Sequence, residues 1–461
     1  MTSLAAFMAS LDLFIVNVAF DAIGKDFHGA RTGDLSWVLN GYAIVYAALL
    51  VPLGRLADRA SRKTGFLLGL ALFTAASVAC AASTGLAELV VFRLLQAAGA
   101  AALTPTSLGL LLPVFPPARR AGAVRIWAAT GALAAAFGPV VGGVLVEASW
   151  RWVFLVNLPI GIGALLATLR FVPDSRDPLA GALPDLLGAV LVAVSVGAVA
   201  LALVQGGTWG WGSGRTLGGF AAAVVSAALF WRRSGRHPVP VVEPALLRVR
   251  AFAWSNATSL AFSVAFAGNL LVVILWMQRV WGYSPLKTGL CVAPGPLMVP
   301  VFAVVAGLAV KRAVPVGAIA GLGCLLFAAA SVLTLTRVGL TPAYAAELLP
   351  SQIIGGAGVG LALPTIISAA TADLPAARSA TGSAVVTMTR QVGSVLGVSV
   401  VVALLGAHVT LAAARTGFQH AWAACALAAA LAAVTAIGMT PRTGTSLRAP
   451  DALPPRVAAR G

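Results

Sequence analysis

The chain has 461 residues, of which 59% are hydrophobic and only 10% are charged, against about 25% charged in an ordinary soluble domain. Lys plus Arg outnumber Asp plus Glu by 31 to 14, a net charge of +17 that on a soluble chain would point first to nucleic acid. A mean hydropathy of +0.95 and successive apolar stretches of roughly 20 residues exclude that reading, because no soluble fold of this size hides so much apolar surface.

The sequence is that of an all-α polytopic membrane protein. Apolar runs divided by charged or Pro/Gly breaks predict about fourteen helices. The first six are 4–24, 35–54, 64–84, 87–112, 122–146 and 152–172. A pair follows at 182–204 and 215–231, the second short for a span unless nearly upright. The last six are 251–276, 286–310, 314–336, 343–369, 379–407 and 418–439. The first run follows no basic stretch, carries Asp12 at its middle and precedes no cleavage signal, so it is expected to be a retained span. This divides the chain into a six-helix bundle at 1–172, two additional helices at 173–231, a cytoplasmic linker at 232–250, a second six-helix bundle at 251–440 and a cytoplasmic tail at 441–461.

Orientation follows from the basic residues. With the N-terminus in the cytoplasm, 20 of the 31 Lys and Arg fall on the cytoplasmic side and 8 on the other, leaving Arg93, Arg125 and Arg390 within spans. The positive-inside rule therefore predicts a multi-pass protein of the cytoplasmic membrane with both termini in the cytoplasm. The four cysteines and four histidines are scattered, so neither a disulfide framework nor a metal site is expected. The loops Phe115–Gly122 and Leu374–Gly382 enter corresponding spans and look alike. Either the two halves are parallel repeats, or two Pro/Ala/Arg-rich loops agree by chance.

Asp12 stands near the middle of the first span, where a bare carboxylate is costly and must be protonated or paired. Such a group suits proton exchange; an acid hydrogen-bonded to a neighbouring helix is the structural alternative. Between spans 2 and 3, Gly54-Arg55-Leu56-Ala57-Asp58-Arg59-Ala60-Ser61-Arg62-Lys63 places four basic residues on a short turn, enough by themselves to set topology. The order also resembles G-x-L-A-D-R-x-G-R-K, the signature loop of the major facilitator superfamily, with Ser61 in place of the second Gly. That resemblance implies that Gly54, Asp58, Arg59, Arg62 and Lys63 form a latch between the halves.

Span 4 carries Arg93-Leu94-Leu95-Gln96-Ala97-Ala98-Gly99. An arginine there either snorkels to the interface or acts within the membrane, and Gln96 shares its face. The run is similar to R-x-x-Q-G-x-G of the same superfamily, with Ala97 for the first Gly, which implies a proton-coupling role for Arg93. In span 5, Gly138-Pro139-Val140-Val141-Gly142-Gly143 permits close helix approach and a bend. It resembles the antiporter motif of exporting branches and so implies outward transport.

Leu11-Asp12-Leu13-Phe14-Ile15-Val16-Asn17-Val18-Ala19 looks like L-D-x-T-I-V-N-V-A, and Trp150–Gly161 looks like W-R-W-x-F-x-I-N-x-P-x-G, both of fourteen-span drug:proton antiporters. With Thr389-Arg390-Gln391-Val392-Gly393 the resemblance runs from span 1 to span 13. Asp21 departs from it, standing where Pro is usual, and is expected to be solvated. Glu347, one turn into span 12, is either a second proton or cation site or an interfacial carboxylate. The run Gly355-Gly356-Ala357-Gly358-Val359-Gly360 follows no strand, so close helix packing is expected rather than a dinucleotide loop.

These readings converge on two six-helix bundles plus two central helices, the major-facilitator fold. The resemblance implies proton-driven efflux of apolar or cationic drugs or metabolites by alternating access. Proton coupling would fall to Asp12, Arg93 and Glu347, with a path between the halves lined by Asn17, Trp37, Asn40, Tyr42, Gln96, Asn269, Trp276, Gln278 and Arg390. The expected partners are a small molecule, protons and the bilayer, not nucleic acid. The chain is expected to act as a monomer, without cofactor or metal and not as an enzyme, since paired catalytic groups and an ATP-binding loop are lacking in the sequence. Proton-coupled uptake and a non-transporting receptor remain the alternatives.

Overall fold

The computed structural model describes residues 2–28, 30–176, 182–406 and 411–440. The expected tail at 441–461, His408 and the end of the span drawn to 407 lie outside the described residues. Within hydrocarbon every backbone N–H and C=O must be satisfied inside the segment, which leaves the helix as the economical choice for these apolar runs. Among the described residues there is no strand.

In the first half, α1 spans Thr2–Asp26, α2 Thr32–Ala60, α3 Arg62–Ala82, α4 Leu86–Leu111 and α5 Pro117–Ala148. The sixth span is broken into α6, Trp152–Leu155, and α7, Asn157–Phe171. Two helices follow, α8 at Leu186–Trp209 and α9 at Gly214–Ser234. The second half comprises α10 at Arg250–Arg279, α11 at Pro285–Val292, α12 at Pro294–Lys311 and α13 at Val316–Arg337. It ends with α14 at Tyr344–Glu347, α15 at Leu349–Ala372, α16 at Ala376–Leu405 and α17 at Leu411–Ala436. Thirteen spans among the described residues have the length and apolarity to cross a membrane; α5, at 32 residues, supplies the fourteenth helix.

Three expected spans are interrupted, and each break has a proline beside it. Pro159, Pro294 and Pro350 lie in the first turn of α7, α12 and α15, where a missing N–H and a fixed φ suit a helix start rather than a continuing helix. The segment judged short at 215–231 is a full 21-residue helix. Asp185 caps α8 at Gly188 N and accepts from Arg233 of α9 at 2.6 Å, holding this added pair together.

Within the first half α1 packs on α5, and α4 on α2 and α3; in the second, α10 packs on α16 and α17, and α15 on α12 and α13. The halves meet where α2 crosses α16 and α5 crosses α11, while α8 lies against α2 and α16. The similar loops entering α5 and α16 close the same way, with Arg119 N and Arg378 N each donating to a proline carbonyl three residues back at 2.8 Å. The glycine run in α15 is a packing device: a Cβ on Gly358 would stand 2.5 Å from Gly323 O and one on Gly360 2.7 Å from Val299 O.

The cores explain where the interior space lies. At the end remote from the α2–α3 loop, one apolar cluster joins both halves, including Ile15, Phe20, Trp150 and Phe154 with Leu271, Trp276 and Trp422. Toward the α2–α3 loop each half keeps its own core, Phe66 and Phe73 in one and Phe262 and Phe327 in the other. A smaller cluster there, with Val51 of α2, Phe252 of α10 and Val386 of α16, still joins the halves, so they are packed together most extensively at the remote end and enclose space toward the loop.

Candidate functional site

A cavity of about 920 Å³ lies between the halves. Its wall runs from Asn17, Asn40 and Asn269 to Gly54, Asp58, Ser379 and Thr381 near the α2–α3 loop. At the other end it is sealed. Gln278 Nε2 donates to Val18 O at 3.1 Å, Arg279 Nε to Asp21 Oδ1 at 3.0 Å, and Leu286 N to Glu147 Oε1 at 3.1 Å.

Beside this space, inside the first half, sits a buried polar cluster. Arg93 Nη1 donates to Asp12 Oδ2 at 2.5 Å and to Gln96 Oε1 at 2.6 Å, while Nε donates to Val38 O at 3.2 Å. Gln96 Nε2 in turn reaches Asp12 Oδ1 at 2.9 Å and Ser77 Oγ at 2.8 Å. Asn157 Nδ2 approaches the same two oxygens at 3.4 Å, and the Tyr42 ring lies 4.1 Å below the guanidinium. Arg93 also borders the cavity. A charge buried here is tolerable only when paired and hydrogen-bonded, and residues of α1, α2, α3, α4 and α7 all join the cluster. The arginine does not snorkel.

The sequence of residues 2–398 matches the family model described as the Major Facilitator Superfamily. The chain belongs to the Major Facilitator Superfamily. It is 33% identical over 456 residues to the tetracenomycin C resistance and export protein of Streptomyces glaucescens, covering 95% of this chain and 81% of that one. It is 34% identical over 411 residues to the multidrug resistance protein Stp of Mycobacterium tuberculosis, covering 88% and 75%. Among solved structures, a peptide transporter POT in complex with sulfate superposes with a TM-score of 0.68 at 19% identity, covering 95% and 92%. A D-xylose-proton symporter gives 0.67 at 14% identity, covering 96% and 97%. This major-facilitator chain is therefore a multi-pass membrane protein with small-molecule transporters as its relatives.

Within that fold the expected pocket residues separate into two groups. Asn17, Asn40, Asn269 and Arg390 line the cavity, with Asn40 Nδ2 also bridging the halves to Ser399 Oγ at 3.0 Å. Gln96 and Tyr42 do not: both are 0% exposed and serve Arg93 from the interior of the first half. Trp37 packs toward α8 and α16. Trp276 joins Phe418 and Trp422 in the sealed end, and Gln278 is one of the seals. Helix rotation turns these side chains away from the path, which hydropathy does not report.

Glu347 is likewise off the path. Its Oε2 accepts from Gly339 N at 2.8 Å and ties the α13–α14 loop. Asp21 is not left to solvent: Lys25 at 2.9 Å and Arg279 at 3.0 Å both pair with it. The Trp150-Arg151 motif has a related task, since Trp150 Nε1 and Arg151 Nη1 each donate to Asp26 Oδ2 at 2.9 Å.

The α2–α3 loop differs from its expected reading. Asp58 accepts from Arg62 at 2.5 Å within the same loop, and Lys63 Nζ donates to Leu169 O in the same half. The residue that reaches across is Arg55, which donates to Glu243 at 3.0 Å, Pro240 O at 3.1 Å and Thr381 Oγ1 at 3.5 Å. Arg378 flanks Glu243 at 3.7 Å. A lone acid in a basic linker was the signal available for Glu243. Ser61, the departure from the signature, caps α3 through Thr64 N and donates to Asp174 at 2.6 Å.

The glycine motif of α5 works at two surfaces. A Cβ on Gly138 would meet Phe14 Cβ at 2.6 Å, and one on Gly142 would meet Ile15 O at 2.9 Å, both on α1. A Cβ on Gly143 would stand 2.7 Å from Pro285 O in the other half, and Gly289 is pressed on the carbonyl of Pro139 in the same way. The motif is part of the seal.

Proposed function

We propose that this chain is a proton-driven exporter of small, largely apolar drugs or metabolites, acting as a single chain without nucleotide, cofactor or enzymatic step. The observation that carries the reading is the buried Asp12–Arg93 pair, whose arginine borders a cavity between the two halves. The printed roles of its relatives, resistance and export, supply the direction. The excess of basic loop residues at the α2–α3 end supports a cytoplasmic position for that end and both termini, and on that reading this conformation receives substrate from inside the cytoplasmic membrane.

In this form Asp12 neutralises Arg93. A proton arriving from the outside, once the seal parts, removes that counter-charge. Arg93 then keeps Gln96 Oε1, Val38 O and the Tyr42 ring as partners, and its uncompensated charge faces the cavity wall. A charge change of this kind biases a two-state rocking motion.

A pump-deficient bacterium expressing the chain is expected to show raised inhibitory concentrations for several apolar compounds in a broad panel. Everted vesicles from it should accumulate those compounds, and a protonophore should abolish the accumulation. Unchanged susceptibility throughout the panel, or transport that survives collapse of the pH gradient, would overturn the proposal.

A further inference from the structure

Four charged residues border the cavity among the described residues: Arg55, Asp58, Arg93 and Arg390. Three are answered by opposite charges, Arg55 by Glu243, Asp58 by Arg62 and Arg93 by Asp12. Arg390, on α16, has no ion pair and no side-chain hydrogen bond among the described residues. Tyr46, which lines the same cavity, spends its hydroxyl on Thr104 Oγ1 at 3.0 Å. Next to Arg390, Nε2 of the cavity-lining Gln391 is buried without an acceptor.

A guanidinium and an amide N–H therefore both border this membrane-embedded cavity with donors to spare, and no carboxylate pairs with the guanidinium among the described residues. Guanidinium offers five N–H donors in a fork that matches a carboxylate, and charge-assisted bonds of this kind are the strong ones. Across the same space Phe266 lies edge-on to Phe14 at 6.5 Å and tilted against Phe327 at 6.3 Å, all three lining the cavity. We propose that Arg390, with Gln391 beside it, is an anion-binding subsite, and that the substrates are aromatic molecules carrying a carboxylate or a similar acidic group. This deepens the export reading and rests on it for the direction of movement. It replaces the cationic substrates suggested by sequence resemblance, since an unpaired cation in the wall repels them.

The test uses a matched set of probes: naphthoate, naphthalenemethanol and naphthylmethylammonium. In calorimetric titration of the purified full chain, naphthoate is expected to bind about tenfold tighter than the ammonium compound, and added salt should weaken naphthoate alone. Arg390→Gln should erase the preference while leaving the alcohol unchanged, and Arg390→Lys should retain most of it. Equal binding of the three, preference for the ammonium, no binding of any, or a preference untouched in Arg390→Gln would each overturn the assignment. Flux in everted vesicles separates the two readings. Selective binding of naphthoate without gradient-driven flux sinks the export reading alone, whereas flux of the ammonium probe with no preference for naphthoate sinks this one alone.

Discussion

Asp12 and Arg93, 81 positions apart in sequence, hold their charged atoms 2.5 Å from each other with both residues only 1% exposed. Neither charge is stable there without the other. The pair is therefore a structural tie between α1 and α4, and in the proposed mechanism the place where a proton changes the balance of charge.

Asp12→Asn keeps the shape and leaves Arg93 buried without its counter-ion. Breaking a buried pair from one side costs about 3 kcal/mol or more, so the variant should melt earlier in detergent and lose proton-coupled flux. The double variant Asp12→Asn with Arg93→Gln should recover most of the stability and none of the flux. A single variant that still exchanges substrate for protons at the wild-type rate would remove Asp12 from the mechanism.

Gly143→Leu should hold the sealed end open. The new side chain has no room against Pro285 O and Leu286, and overpacking of this kind costs about 1–3 kcal/mol, at least fivefold in the population of the closed form. With Leu270→Cys as reporter in the cavity wall, an impermeant maleimide should label the Gly143→Leu protein several-fold faster from outside. Equal labelling rates would place the seal elsewhere.

Glu243→Gln should loosen the linker. Its carboxylate pairs with Arg55 and Arg378, all three partly exposed, and pairs of that exposure contribute about 0.5 kcal/mol each. Trypsin should then cut at Arg248 about twofold faster than in the unmodified chain, and high salt should remove the difference, since screening weakens the wild-type pairs.

Ser61→Ala should cost about 1 kcal/mol through the lost cap of α3, whereas Ser61→Gly should cost only a few tenths. The Ser61 hydroxyl, joined by the N–H groups of Lys63 and Ser175, holds the Asp174 carboxylate below its ordinary value of 3.8. A depressed value means the folded state favours the ionised form, so the contribution is present at neutral pH and fades as pH falls below 3.8. Melting curves should accordingly separate wild type from Asp174→Asn at neutral pH and converge in acid.

Much of the fold was legible because hydropathy and charge are summed along the chain by the bilayer itself. The helices lie close to the expected segments, and the three unforeseen breaks follow prolines visible in the sequence. The candidate site was legible in part. Asp12 and Arg93 stood out as costly charges in apolar runs, yet nothing in either run says that they face each other. Asn157 lay within the W-R-W motif, but Ser77 carried no signal, since a serine in a span is common and its role depends on which helix it meets. Trp276 and Gln278 illustrate the reverse error, aromatic and polar residues at the end of a span that packing turns into a seal.

The sequence by itself determined a membrane protein, its fourteen helices, the side on which its basic loops gather, and a family resemblance spread over most of the chain. Each of these depends on residue type along one dimension, where an apolar run or a basic loop has the same meaning whatever its neighbours. Only the tertiary structure decided that Asp12 is paired, that Arg55 rather than Asp58 spans the halves here, and that Arg390 faces the cavity unanswered. Those relationships depend on helix rotation and crossing, which are set by close contacts such as Gly142 on Ile15 and Gly143 on Pro285.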